Sequence, residues 1–171
     1  MILQAAQIAH QKGAELLLTP ELSLCGYPPK DLLLNPSFIE SLSRELSQLA
    51  QNLPSELTVL VGTVENNSQA KITGEKSLFN SIALLSQGKI QTIFHKRLLP
   101  NYDVFDEDRY FESGKESHIF TIDNTKIGVT ICEDLWNDEI FWQMRRYQVN
   151  PVADLVNLGS QLILNLSASP Y

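Results

Sequence analysis

The apolar positions change period along the chain, and those changes mark out its elements. Residues 1–12 read as a helix with Gly13 as its stop, and 15–19 form a short apolar run ended by Pro20, which suits a buried strand. Asn35 and Pro36 make a cap and a first turn, after which Ile39, Leu42, Leu46 and Leu49 recur at helical spacing until Pro54. Residues 57–62 are a short β-branched run. Beyond a polar stretch, 79–85 and 89–95 predict a hairpin turned at Gln87-Gly88. A second hairpin is predicted from 117–122 and 126–131 around Asp123-Asn124, residue types that tolerate the dihedrals of tight turns. Residues 138–149 and 151–158 then read as helices, and 161–166 as a last strand. Hairpins and crossovers with helices between them imply a mixed sheet covered by helices, an α/β layered domain.

Composition narrows the classes. With 171 residues, 43% of them apolar and 19% charged, the chain suffices for one ordinary core. A net charge of −7 and a pI near 4.9 argue against a nucleic-acid partner, whose phosphates call for a Lys/Arg-rich face. No apolar run approaches the roughly 18 residues of a membrane span, and the first residues lack the basic and apolar regions of a secretory signal. Two cysteines, Cys25 and Cys132, are too few for a disulfide framework and fit a reducing compartment, so the expected location is cytoplasmic. Cys25 is expected to be a small buried hydrophobe.

Phosphate-loop, dinucleotide and paired-cysteine motifs are missing, and His10, His95 and His118 are scattered, so no metal site is expected. What the pattern offers instead is polar residues just beyond apolar strands. Glu21 follows Leu16 to Pro20, Lys96 follows Ile93 to His95, and Cys132 follows Gly128 to Ile131. Sites of open α/β sheets collect at the carboxyl ends of strands, where loops converge. A thiol, a carboxylate and an ammonium suit acyl transfer: the thiolate attacks, the carboxylate takes its proton, and the cation faces the developing oxyanion. Each also has a plainer reading, as a buried thiol, a charge at a helix start and a solvated lysine at a strand end.

The surrounding segments resemble the nitrilase superfamily, whose members carry a Glu-Lys-Cys triad on an α-β-β-α sandwich. The likeness runs through Thr19-Pro20-Glu21-Leu22, His95-Lys96-Arg97-Leu98-Leu99-Pro100 and Thr130-Ile131-Cys132-Glu133-Asp134. Within that group the chain is similar to the glutaminase domains of glutamine-dependent NAD synthetases. That narrower likeness rests on Gly26-Tyr27-Pro28-Pro29-Lys30-Asp31-Leu32-Leu33, on the stretch from Leu99 to Phe111, on Glu133-Asp134-Leu135-Trp136 and on Asn165-Leu166-Ser167-Ala168-Ser169-Pro170-Tyr171.

The resemblance implies that residues 1–171 are a partial carbon-nitrogen hydrolase (glutaminase) domain. The family's first strand, the C-terminal part of the sandwich and the synthetase domain would lie outside it. Cys132 would be the nucleophile, Glu21 the general base and Lys96 the oxyanion-stabilising cation. Tyr102, Ser169, Glu133 and Trp136 would bind glutamine. The glutaminase step would need no cofactor, whereas the synthetase domain would use ATP and Mg to amidate deaminated NAD. Partners would be glutamine, that synthetase domain and, in the complete protein, further copies of itself. Two other readings stay open: a stand-alone amidase acting on another small amide, and an inactive fragment.

Overall fold

A computed structural model of the chain describes residues 1–102, 105–137, 139–144 and 146–168. It contains two sheets. In the first, β1 (Leu16–Leu18), β2 (Thr58–Asn66), β3 (Leu78–Ser86) and β4 (Lys89–His95) lie in the order β1-β2-β3-β4. In the second, β5 (Ile119–Ile122), β6 (Thr125–Ile131) and β7 (Leu162–Leu166) lie in chain order. The β1-β2 and β6-β7 pairs are parallel, and the others are antiparallel.

Alternation within the strands explains how the layers stack. On β2 and β3, Val59, Val61, Ala83 and Leu85 pack against α1 (Ile2–Gln11) and α2 (Pro36–Asn52), through Ala6, Leu46 and Ala50. The intervening residues Leu60, Ile82 and Leu84 point the other way and meet Val129, Ile131 and Leu166 of the second sheet. A strand covered on both faces is apolar over most of its length, which is why Val59 to Val61 of β2 read as a continuous run. Beyond the second sheet, the fully buried Leu155 of α5 (Pro151–Asn157) lies over Gly128. The layers are therefore helix, sheet, sheet, helix, as expected.

Local chemistry sets the boundaries. The Asn35 side chain accepts from Ser37 N at 3.0 Å and Pro36 opens α2, a cap contributing about 1 kcal/mol. Gln87-Gly88 and Asp123-Asn124 all have positive φ, as two-residue hairpin turns of this hand require. The strand expected over 57–62 runs on to Asn66, and the polar stretch after it contains a short helix, α3 (Ala70–Thr73).

The helix expected over 138–149 is not formed. Among the described residues of that span only α4 (Glu139–Trp142) is helical; Gln143 has φ +54°, and the Asn137 side chain donates to the carbonyls of Tyr147 and Val149 at 3.1 and 2.7 Å. One buried amide thus claims main-chain groups that a continuous helix would need for itself. Asp138 and Arg145, within the expected span, lie outside the described residues.

Candidate active site

Three loops meet at the carboxyl ends of β1, β4 and β6. The first leaves β1 at Thr19, whose hydroxyl bonds Leu60 O at 3.1 Å and accepts from Gly62 N at 3.2 Å. A Cβ at Gly62 would stand 2.4 Å from both Leu22 N and Pro20 O, so glycine there lets the loop lie directly on β2. Glu21 is thereby carried into the interior, 2% exposed. Lys96 directly follows β4, its N–H donating to Asn80 O and its carbonyl accepting from Gly114 N, both at 2.8 Å. Gly114 also allows close approach, since a Cβ there would meet His95 Cβ at 2.8 Å.

The fully buried Lys96 ammonium lies 2.7 Å from Glu21 Oε1 and 2.9 and 2.8 Å from Oε1 and Oε2 of Glu107. Asn80 Nδ2 donates to Glu21 Oε1 at 2.8 Å and to Glu107 Oε2 at 3.2 Å, and the Tyr27 hydroxyl donates to Glu107 Oε1 at 3.0 Å. Burial alone would pull the lysine down, but the charges of Glu21 and Glu107 outweigh it and hold the ammonium above its ordinary range. Burial pushes Glu107 up, as does the nearby charge of Glu21, against the pull of Lys96. Glu21 Oε2 is buried and, among the described residues, has no hydrogen-bond partner. One carboxylate oxygen is thus held by the lysine and Asn80 while the lone pairs of the other stay unused among the described residues.

Cys132 follows β6 with φ +43°, a left-handed conformation rare outside glycine, and is 8% exposed. Its position is tied to the lysine loop through Asp134, whose Oδ1 accepts from Arg97 N at 3.0 Å and Leu98 N at 2.9 Å while Oδ2 accepts from Ile131 N at 3.0 Å. The Tyr27 phenol is pushed far above its usual range by burial, then by the charges of Glu107 and Glu21, with Cys132 adding to them. Glu21 and Lys96 are therefore in direct contact, and the turn that carries Cys132 is joined to the lysine loop through Asp134. Cys25 lies elsewhere, half-buried where a buried position was expected, against the cluster of Leu22, Leu33 and Leu42, with its thiol pushed up to about 11 by burial.

Of the residues expected to bind substrate, Glu133 is buried and accepts from the hydroxyls of Tyr102 and Tyr147, both at 2.8 Å. Tyr102 is 37% exposed, with the Arg146 guanidinium 5.6 Å above its ring. Trp136 is 44% exposed. Ser169 lies outside the described residues. A cavity of about 300 Å³ between Tyr27, Pro29, Phe105, Glu107 and Tyr110 borders the cluster at Glu107.

Sequence reasoning missed Glu107, Asn80, Tyr27 and Asp134 as members of this site. For Asn80 a signal existed, a polar pair Asn80-Ser81 interrupting an apolar strand. Glu107 had none, standing among Asp106 and Asp108 with nothing in the pattern to single it out.

The chain belongs to the carbon-nitrogen hydrolase family, whose family model matches residues 1–152. A narrower likeness comes from individual relatives. The glutamine-dependent NAD(+) synthetase of Synechocystis sp. is 61% identical over 170 residues, covering 99% of this chain and 30% of its own. The structure of the glutamine-dependent NAD+ synthetase of Acinetobacter baumannii superposes with a TM-score of 0.83 at 32% identity, over 99% of this chain and 29% of that one. A nitrilase-superfamily amidase of Nesterenkonia AN1 shares the fold, with a TM-score of 0.77 at 20% identity over 99% of this chain and 58% of its own. The chain thus spans about 30% of the length of the synthetases it matches. No helix among the described residues is long and apolar enough to cross a membrane.

Proposed function

We propose that this chain is the glutamine-hydrolysing part of a glutamine-dependent NAD synthetase. The observation that carries the reading is the buried Lys96 ammonium held between Glu21 and Glu107 and linked through Asp134 to the Cys132 turn. Glu21, through its unpartnered oxygen, takes the Cys132 proton. The thiolate attacks the side-chain amide carbon of glutamine, and the carbonyl π electrons move onto oxygen as an oxyanion. Protonation removes the charge from Glu21 and loosens its hold on Lys96, so the ammonium can turn to the oxyanion. Collapse of the intermediate expels ammonia, which carries away the proton from Glu21, and leaves a glutamyl thioester. Water, deprotonated by Glu21, then attacks the thioester; glutamate leaves and the proton returns to Cys132.

Tyr102 and Trp136 grip the substrate, and Glu133 holds the two phenols in place for it. Ser169 is proposed as a further glutamine contact. The ammonia is consumed by a synthetase domain that uses ATP and Mg to amidate deaminated NAD, in a cytoplasmic homo-oligomer, the whole of which supplies the scaffold for this site.

The test uses the complete protein and glutamine labelled with ¹⁵N at the side-chain amide. Cys132→Ala should abolish release of labelled ammonia while synthesis of NAD from free ammonia continues. Glutamine hydrolysis surviving in that variant would sink the assignment. A clear preference of the unmodified protein for another small amide would favour a stand-alone amidase instead.

A further inference from the structure

We infer that Asp134 is a positioning residue that sets the height of Cys132 over Lys96. Its buried carboxylate binds main chain on both sides of the site. Arg97 and Leu98, which it holds through Oδ1, directly follow the lysine at the end of β4 in the first sheet. Ile131, which it holds through Oδ2, directly precedes the cysteine at the end of β6 in the second. One side chain therefore joins the two sheets at the level where the thiol and the ammonium must face each other.

Cys132 sits inside the short loop closed by the bond from Ile131 N, and its φ of +43° is one that a non-glycine residue keeps only where its surroundings impose it. The clasp supplies that constraint. It has something firm to pull on, because the Arg97 guanidinium is anchored at its far end to Ser117 Oγ at 2.8 Å and to Asp154 of α5 at 2.5 Å. A carboxylate is also the right group. It accepts only, with lone pairs for all three donors, whereas an amide would turn an NH₂ toward one of them. Asp134 acts through the backbone, without touching substrate, on the distance between sulfur and ammonium.

Only the choice of reaction to be timed rests on the proposed glutaminase reading. In the complete protein, Asp134→Asn should lower kcat for glutamine hydrolysis roughly 10- to 100-fold and leave KM within about threefold, the signature of reacting groups displaced by a fraction of an ångström. Alkylation of Cys132 by iodoacetamide, followed by peptide mass under conditions where both proteins are folded, should slow by about tenfold or more, with Cys25 unaffected. A backbone ester at Leu98, which deletes a single clasped N–H, should move both rates the same way by a smaller factor, and it carries the test if Asp134→Asn does not fold. The inference is overturned if kcat and Cys132 alkylation both stay within twofold of the unmodified protein. An unmodified protein that does not hydrolyse glutamine would sink the proposed function, and the alkylation comparison would still decide this one.

Discussion

Lys96 and Tyr102 stand close together in the sequence and in opposite surroundings. The lysine is fully buried with three carboxylate oxygens within 2.9 Å, all of them taken out of water along with it. The tyrosine is half in water, and its hydroxyl leans on one carboxylate, Glu133, that a second phenol also holds. At the lysine end no charge is tolerable without the others, because a lone buried ion has nothing to repay its lost hydration. At the tyrosine end the two hydroxyls that donate to Glu133 are neutral, and the Tyr102 ring is open to solvent on one side. The groups assigned to bond breaking thus sit where geometry is least negotiable, and those assigned to grip sit where it can give.

The sharpest way to break this comparison is Lys96→Met. It would leave Glu21 and Glu107 facing each other in the interior, sharing Asn80 as donor. Urea unfolding of the complete protein should show a loss of about 3–5 kcal/mol, the cost typical of removing one partner from a buried ion pair. A loss below about 1 kcal/mol would mean that the cluster is wetter than it looks.

A smaller effect concerns Asp134. Burial raises its carboxyl to about 6 from 3.8, although three N–H bonds and the charge of Lys96 pull the other way. The folded protein therefore binds this proton more tightly than the unfolded chain. The associated stability is fully present below pH 3.8 and is lost as pH rises through about 6. Subtracting the unfolding free energy of Asp134→Asn from that of the unmodified protein at each pH cancels most other carboxylates. The difference should fall by roughly 2–3 kcal/mol between pH 4 and 7. A difference that does not change with pH would mean that the clasp holds its charge without cost.

The layers were legible because burial leaves a period: two faces covered give the continuous run of β2, and one face covered gives the helical spacing of α2. Both hairpin turns were legible because only certain residues accept positive φ. The segment after Cys132 was not, since its path is set by one buried amide, Asn137, reaching over ten residues to Tyr147 O, and spacing carries no trace of such a contact. The site divides in the same way. Glu21, Lys96 and Cys132 each follow the carboxyl end of a strand, so topology betrays them, whereas Glu107 enters from a short 3₁₀ turn and Asp134 works on backbone groups common to every residue.

The mildest prediction sharpens the comparison from its exposed side. Burial, and then Glu133, push the Tyr102 phenol up to about 12, so it stays a neutral donor near neutrality. Tyr102→Phe removes that donor and leaves Glu133 with Tyr147 on its other oxygen. The loss should be near 1 kcal/mol, the net worth of an ordinary hydrogen bond, appearing as a rise in KM for glutamine of about fivefold with kcat within twofold. A tenfold fall in kcat at unchanged KM would instead join Tyr102 to the lysine end. The division between a rigid buried wall and a forgiving exposed one would then be in the wrong place.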